Sequence, residues 1–178
     1  MSISLRPFLN IGRKIGATLL AQDCLLCQAA SGEQLLCQAC ARELPWAASA
    51  CPRCALAGAD NVECGACLSA TPHYDASRAA FVYAYPVDAL IQSFKYGGQL
   101  ALAGLFARQM HLGIGRAVGV DLILPLPLHP LRLAERGFNQ AAEIAKTLSQ
   151  LTGIAMDAQR ARRVRNTAAQ ADLPWRER

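Results

Sequence analysis

CLLCQAASGEQLLCQAC (residues 24–40) and CPRCALAGADNVECGAC (residues 51–67) hold all eight cysteines of the chain, as the pairs Cys24/Cys27, Cys37/Cys40, Cys51/Cys54 and Cys64/Cys67. Nine, ten and nine residues separate successive pairs. A Cys-x-x-Cys turn aims two thiolates at one point in space, and two such turns complete a tetrahedral shell. Zinc suits that shell because thiolates are soft ligands and a d¹⁰ ion has no conflicting geometric preference. The spacing therefore predicts two Cys₄ zinc sites. Sequential pairing puts Cys24, Cys27, Cys37 and Cys40 on one ion and Cys51, Cys54, Cys64 and Cys67 on the other. Cross-bracing would join the first pair with the third and the second with the fourth. The equal inner loops suggest a duplicated unit and favour the sequential arrangement. Leu44 and Trp46, on the connection, are expected to pack between the two ribbons.

Eight cysteines in a short segment also fit a disulfide framework, which requires an oxidising compartment. Arg6, Arg13 and Lys14 interrupt what would have to be a signal peptide, and the charge-free run that follows, Ile15–Gln22, has only eight residues and no small-residue cleavage site. Gln22 and Asp23 sit where a lipoprotein would need small residues. No segment reaches the ~18 uninterrupted apolar residues of a membrane span. These features predict a cytoplasmic protein with reduced thiols, and zinc rather than disulfides. The ribbons are too poor in large apolar residues to fold without metal, so zinc binding supplies their folding energy.

With 178 residues the chain has room for the zinc module and one further domain of about 110 residues. The formal charge of +5 is not a nucleic-acid signature by itself. Eight zinc-bound thiolates and two divalent ions bring it to about +1. The basic excess is local: six arginines lie between Arg160 and Arg178, against Asp172 and Glu177.

Along the chain, Leu5, Phe8, Leu9, Ile15, Leu19 and Leu20 predict an amphipathic helix over residues 3–20, within an N-terminal segment 1–23. The ribbons occupy 24–70, and an α/β domain follows over 75–178. Ser77–Tyr85 reads as a strand. Pro86 opens a helix through Val87, Leu90, Ile91 and Phe94, which Gly97-Gly98 stops. A second helix is expected from about Leu100 to Leu112, and a buried parallel strand at Asp121–Leu126. Another helix runs from about Gly137 to Leu151, and a short strand from Ile154 to Met156. Three strands are few for a covered parallel sheet, so the chain reads as a fragment of a longer fold or the product of a truncated gene.

The functional loop is expected beyond that buried strand, at PLPLHPLRLAERGFNQ (125–140), because open α/β sheets bind ligands outside the carboxyl ends of their strands. Arg132 and Arg136 followed by Gly137 and a helix start suit phosphate or pyrophosphate, with Asn139 and Gln140 as neutral donors. The alternative makes Arg132 and Glu135 a solvated face and Asn139 a helix cap.

The four cysteine pairs, FKYGG (94–98), DLILPLPLHPLRLAERGFNQ (121–140) and RVRNTAAQADLPWRER (163–178) together resemble the ComF (competence protein F, GntX-like) family. The resemblance implies a double zinc ribbon followed by a type I phosphoribosyltransferase-like domain, and an association with uptake of external DNA. It marks Lys95, Tyr96, Arg132, Arg136, Gly137, Asn139 and Gln140 as binding the pyrophosphate of phosphoribosyl pyrophosphate (PRPP). Thr167, Gln170 and Leu173 fall in the stretch that covers the site. Full-length relatives continue into a DDVxTTGxT-type loop, where PRPP is held with Mg²⁺; that signature is absent here. The chain alone is therefore expected to lack phosphoribosyl transfer. A nucleic-acid binder for single-stranded DNA, using the basic end, and an adapter docking proteins of the uptake machinery are the other two readings. Residues 24–67 offer only Arg42 and Arg53 as bases, a poor platform for a single strand.

Overall fold

The computed structural model describes residues 22–114, 119–167 and 174. The helix expected over residues 3–20, and Gln170 and Leu173, lie outside them. The elements are β1 (Gln22–Asp23), β2 (Ala30–Gly32), α1 (Gln38–Arg42), α2 (Gly65–Ser69), α3 (Val87–Tyr96), α4 (Ala101–Ile114), β3 (Leu122–Ile123), α5 (Pro130–Arg136), α6 (Gln140–Thr152) and β4 (Ala155–Met156).

The two zinc-ribbon units are built alike. In each, the N–H of the first cysteine donates to the carbonyl five residues on (Cys24 to Ala29, 2.8 Å; Cys51 to Leu56, 2.9 Å). The residue four positions on returns its N–H to that cysteine's carbonyl and takes a left-handed conformation (Gln28 φ 60°, Ala55 φ 61°). Asp23 pairs antiparallel with Ala30, and Ala50 with Ala57, in the same register relative to their cysteines. The third cysteine of each unit, Cys37 or Cys64, then stands at the N-cap position of a five-residue helix, where Cys37 Sγ accepts from Cys40 N–H.

Helix α3 forms because Val87, Leu90 and Phe94 recur at helical spacing, and all three are buried. Gly97 ends it, donating to Ser93 O (2.8 Å), and a side chain there would meet that carbonyl at 2.7 Å. Gly98 follows at φ 65°. Helix α4 is the centre of the core: Leu102, Ala103, Leu105, Phe106 and Ala107 are buried, so more than one face is covered. It packs against α6, where Ala145 is buried. One continuous core joins Cys24, Leu36 and Leu44 of the first ribbon and its connection to Val87, Leu90, Phe94, Leu102, Leu105 and Phe106.

Several expectations are corrected. Ser77–Tyr85 is not a strand; only Phe81 bridges, to Trp46. Valine and aromatic content favours extended backbone, but a strand also needs a partner along its length, and here Ala84 N–H turns back to Val82 O (2.9 Å). Asp121–Leu126 contributes only Leu122–Ile123 to a strand, parallel to Ala155–Met156, before two prolines end the pairing. Leu44 and Trp46 do not pack between the ribbons. Leu44 enters the shared core, and Trp46 stacks on Phe81 (4.7 Å between centroids) and against Gly113 of α4. The stretch 125–140 holds helix α5 as well as a loop. His129 Nδ1 accepts from Leu131 N–H (3.4 Å), Pro130 occupies the first turn, and Gly137 (φ 80°) closes the helix. Pro near the start and Gly just past the end were the signal for that helix.

Candidate functional site

All eight cysteines are free thiols and fall into two groups, Cys24/Cys27/Cys37/Cys40 and Cys51/Cys54/Cys64/Cys67. Within each group the sulfurs lie within 4.8 Å of one another, so the pairing is sequential and not cross-braced. The Sγ–Sγ distances are 3.7 Å for Cys27–Cys37, 3.7 Å for Cys54–Cys64 and 4.0 Å for Cys51–Cys67. A regular tetrahedron with Zn–S bonds of ~2.3 Å has edges of ~3.8 Å, whereas a disulfide needs ~2.05 Å. The two Cys₄ clusters thus fit two zinc ions, and no disulfide joins their cysteines. No vertex is left for a water or substrate, which is the arrangement of a structural site.

The protonation of the thiols points the same way. Hydrogen bonding to Cys27 and Cys37 pushes the Cys40 thiol up to about 12, and burial followed by its three neighbours does the same to Cys67. The N–H of Cys54, opposed by burial, leads the set of donors that draws Cys51 down to about 6. At Cys24, burial works upward, but the N–H groups of Cys27, Cys37 and Leu26 outweigh it and the thiol also falls to about 6. Each cluster has a place for a first thiolate and resists the last. A divalent cation supplies the charge that lets all four ionise together.

The repeat diverges at two matching positions. Leu26 and Leu36 of the first ribbon correspond to Arg53 and Glu63 of the second, each two residues after the first cysteine or one before the third. Leu36 is 2% exposed and Leu26 packs on the core. Arg53 instead bonds Glu63 through Nε (3.2 Å) and Nη2 (3.1 Å), and its Nη1 donates to the carbonyls of Tyr74 and Asp75. Arg78 Nη1 donates to Pro52 O (2.6 Å), and Ser77 N–H to Arg53 O (2.7 Å). Ribbon one is held by apolar burial, ribbon two by polar stitches to residues 74–78.

A second site lies at the far end of α3. Lys95, Tyr96, Gly98, Arg132, Arg136 and Phe138, with Glu135, line a hollow of 290 Å³. Three cations face one carboxylate there, and Glu135 is 3.9 Å from Arg132 Nε. The Arg136 guanidinium lies over the Tyr96 ring, 5.3 Å from its centroid. The segment RGFNQ (136–140) builds this arrangement residue by residue. Phe138 packs on Phe94 (5.6 Å), tying the α5–α6 junction to the helix that carries Lys95 and Tyr96. Asn139 Oδ1 accepts from the N–H groups of Ala141 and Ala142, while its Nδ2 donates to Leu126 O (3.1 Å). Gln140 Oε1 accepts from Arg136 Nη1 (2.9 Å), and its buried Nε2 has no partner among the described residues.

Four of the seven expected ligand-binding residues are therefore brought together: Lys95, Tyr96, Arg132 and Arg136. Gly137, Asn139 and Gln140 do not line the hollow. Gly137 ends α5, Asn139 caps α6 with its own side chain, and Gln140 orients Arg136. The N–H groups expected to be free for an anion at the start of α6 are thus partly occupied by Asn139. Thr167 accepts from Arg163 Nη2 (2.6 Å), away from these residues in its contacts. In the basic end, Arg160 is paired with Asp157 (2.7 Å). That carboxyl is held below its usual range by the N–H groups of Gln159 and Arg160. Among the described residues no helix is long and apolar enough to cross a membrane.

Comparison with known proteins follows this division. The double zinc ribbon domain family matches residues 15–68. DNA utilization protein YhgH of Salmonella typhi is 34% identical over 148 residues, covering 79% of this chain and 65% of the relative. YhgH of Escherichia coli K12 is 30% identical over 162 residues, covering 86% of this chain and 71% of the relative. Competence protein F of Haemophilus influenzae is 28% identical over 153 residues, covering 80% and 65%. The chain thus spans about two thirds of the length of these relatives. No solved structure matches it. Two Cys₄ ribbons, and an alignment with YhgH and competence protein F that runs well past them, establish that the chain belongs to the ComF family.

Proposed function

We propose that this chain carries the zinc module and the pyrophosphate-holding half of a phosphoribosyltransferase-like site, and that it serves DNA utilisation as the names of its relatives state. The supporting observation is the hollow where Lys95, Arg132 and Arg136 converge with one opposing carboxylate. Two arginine forks and an ammonium suit the many oxygens of a pyrophosphate, each charge-assisted bond contributing about 1.5–3 kcal/mol. β3 feeds the hollow through the proline-rich exit, in keeping with ligand binding beyond a parallel strand. Mg²⁺ and the ribose-phosphate end of PRPP belong in this reading to the acidic loop of longer relatives. Single-stranded DNA and proteins of the uptake machinery are the partners in this reading; the relatives' names speak of DNA utilisation and competence.

Calorimetric titration with inorganic pyrophosphate tests the assignment. Arg136→Ala should weaken binding by about tenfold to a hundredfold, the loss of one charge-assisted contact, with an unchanged circular dichroism spectrum. Equal affinity in wild type and variant, or no binding to the wild type, would make the hollow a structural junction only.

A further inference from the structure

The two zinc shells differ in what can reach them. In the second, Cys51 and Cys67 are buried and Cys54 and Cys64 half-buried; in the first, Cys27 is exposed. Cys27 and Cys40 also line a hollow of 390 Å³, whose apolar wall is Leu26, Ala39, Tyr85 and Pro86. A thiolate in a Zn(Cys)₄ shell keeps nucleophilic character because the shell as a whole carries two negative charges. Burial suppresses that character at Cys24, Cys51 and Cys67, and an N–H donor does so at Cys37; exposure beside an apolar hollow leaves it available at Cys27. Glu43, also lining the hollow, adds a negative charge that disfavours anionic reactants.

We infer that Cys27 is a modification site for small neutral hydroperoxides, through which the first zinc is released while the second is retained. The Cys27 thiolate attacks one peroxide oxygen, the O–O bond breaks, and the alkoxide or hydroxide formed takes a proton from water. This leaves Cys27 as the sulfenic acid. The Cys37 thiolate, 3.7 Å away, then attacks the Cys27 sulfur; the S–S bond forms and hydroxide departs. Two thiolates have given two electrons to one peroxide. Zinc has lost two of its four ligands and dissociates. Because Cys24 and Leu36 belong to the same core as α3 and α4, this chemistry at an exposed sulfur also loosens the helical part.

The test treats the two-zinc protein with limiting tert-butyl hydroperoxide, following zinc release with a colorimetric chelator and mapping oxidation by peptide mass spectrometry. One zinc equivalent should leave about tenfold faster than the other, the difference expected between an accessible and a shielded thiolate. Oxidation should first join Cys27 and Cys37. Cys27→His, which keeps a zinc ligand but removes the oxidisable sulfur, should slow the fast phase without changing the slow one. If that variant fails to hold two zinc ions, the wild-type kinetics and the map still decide. Release of both ions at one rate, or first oxidation at Cys51, Cys54, Cys64 or Cys67, overturns the proposal.

Discussion

The two ribbons use one metal shell for two structural tasks, and the difference comes down to two side chains in each. Leu26 and Leu36 turn the first ribbon into a wall of the core; at the same positions Arg53 and Glu63 form an ion pair with side chains 27% and 33% exposed. Full burial gains about 1.5–3 kcal/mol for a side chain such as Leu36, and half-buried Leu26 gains a part of that. A partly exposed ion pair gains at most about 1 kcal/mol. Metal-ligand geometry fixes the local fold of each unit, and the residues beside the ligands decide how far the metal's stabilisation spreads. In the first ribbon it reaches α3 and α4; in the second it stays within the unit and its stitches to residues 74–78.

Loss of a metal ligand should separate the two ribbons most strongly. Cys24→Ser should remove the first zinc and unfold α3 and α4 with it, because a structural zinc contributes about 10–16 kcal/mol, as much as a whole domain's stability. Cys51→Ser should also lose one zinc, yet leave the near-ultraviolet signal and melting of the helical part close to wild type. Metal analysis with thermal melts separates the two outcomes.

Next in size is the exchange of side-chain character. Leu36→Glu would bury a carboxylate at a position 2% exposed, at a cost of several kcal/mol. Leu36→Ala should cost about 2–5 kcal/mol in denaturant unfolding. Leu56→Ala in the second ribbon, 56% exposed, should stay within about 0.5 kcal/mol. Smaller again is Gly113→Ala. Its Cβ would lie 2.7 Å from Trp46 Cζ3, so overpacking of about 1–3 kcal/mol outweighs a helix-propensity gain of about 1 kcal/mol. The smallest effect on the helical part is expected from Arg53→Leu combined with Glu63→Leu: losing the ion pair and the Arg53 bonds to the Tyr74 and Asp75 carbonyls should loosen the second ribbon and leave the melting of α3 and α4 within about 1 kcal/mol of wild type.

What the sequence disclosed follows from how local each signal is. The cysteine spacing carried the zinc shells and favoured their pairing, because ligand geometry is set within a few residues. Val87, Leu90 and Phe94 disclosed α3 because helical periodicity is a property of the segment itself. Ser77–Tyr85 misled because a strand depends on a partner elsewhere in the chain. Helix α5 went unread because Pro125 and Pro127 suggested a loop and drew attention from the helix-start signal at Pro130. Lys95, Tyr96, Arg132 and Arg136 meet through tertiary packing such as that of Phe138 on Phe94, a contact between residues 44 positions apart. The likeness of RGFNQ to a family motif pointed to a segment that borders the hollow, and the packing adds that Arg136 lines it while Gly137, Asn139 and Gln140 shape the turn behind.

Native-state amide hydrogen exchange on the two-zinc protein reads directly whether the first ribbon opens together with the helices. The amides of Leu25 and Ala41 in the first ribbon should exchange with the same opening free energy as those of Leu90 and Phe106, because one core unfolds as a unit. Ala55 and Leu68 in the second ribbon should open at lower free energy, without exposing the helices. Equal protection in both ribbons, or a first ribbon that opens while α3 and α4 stay closed, would contradict the account.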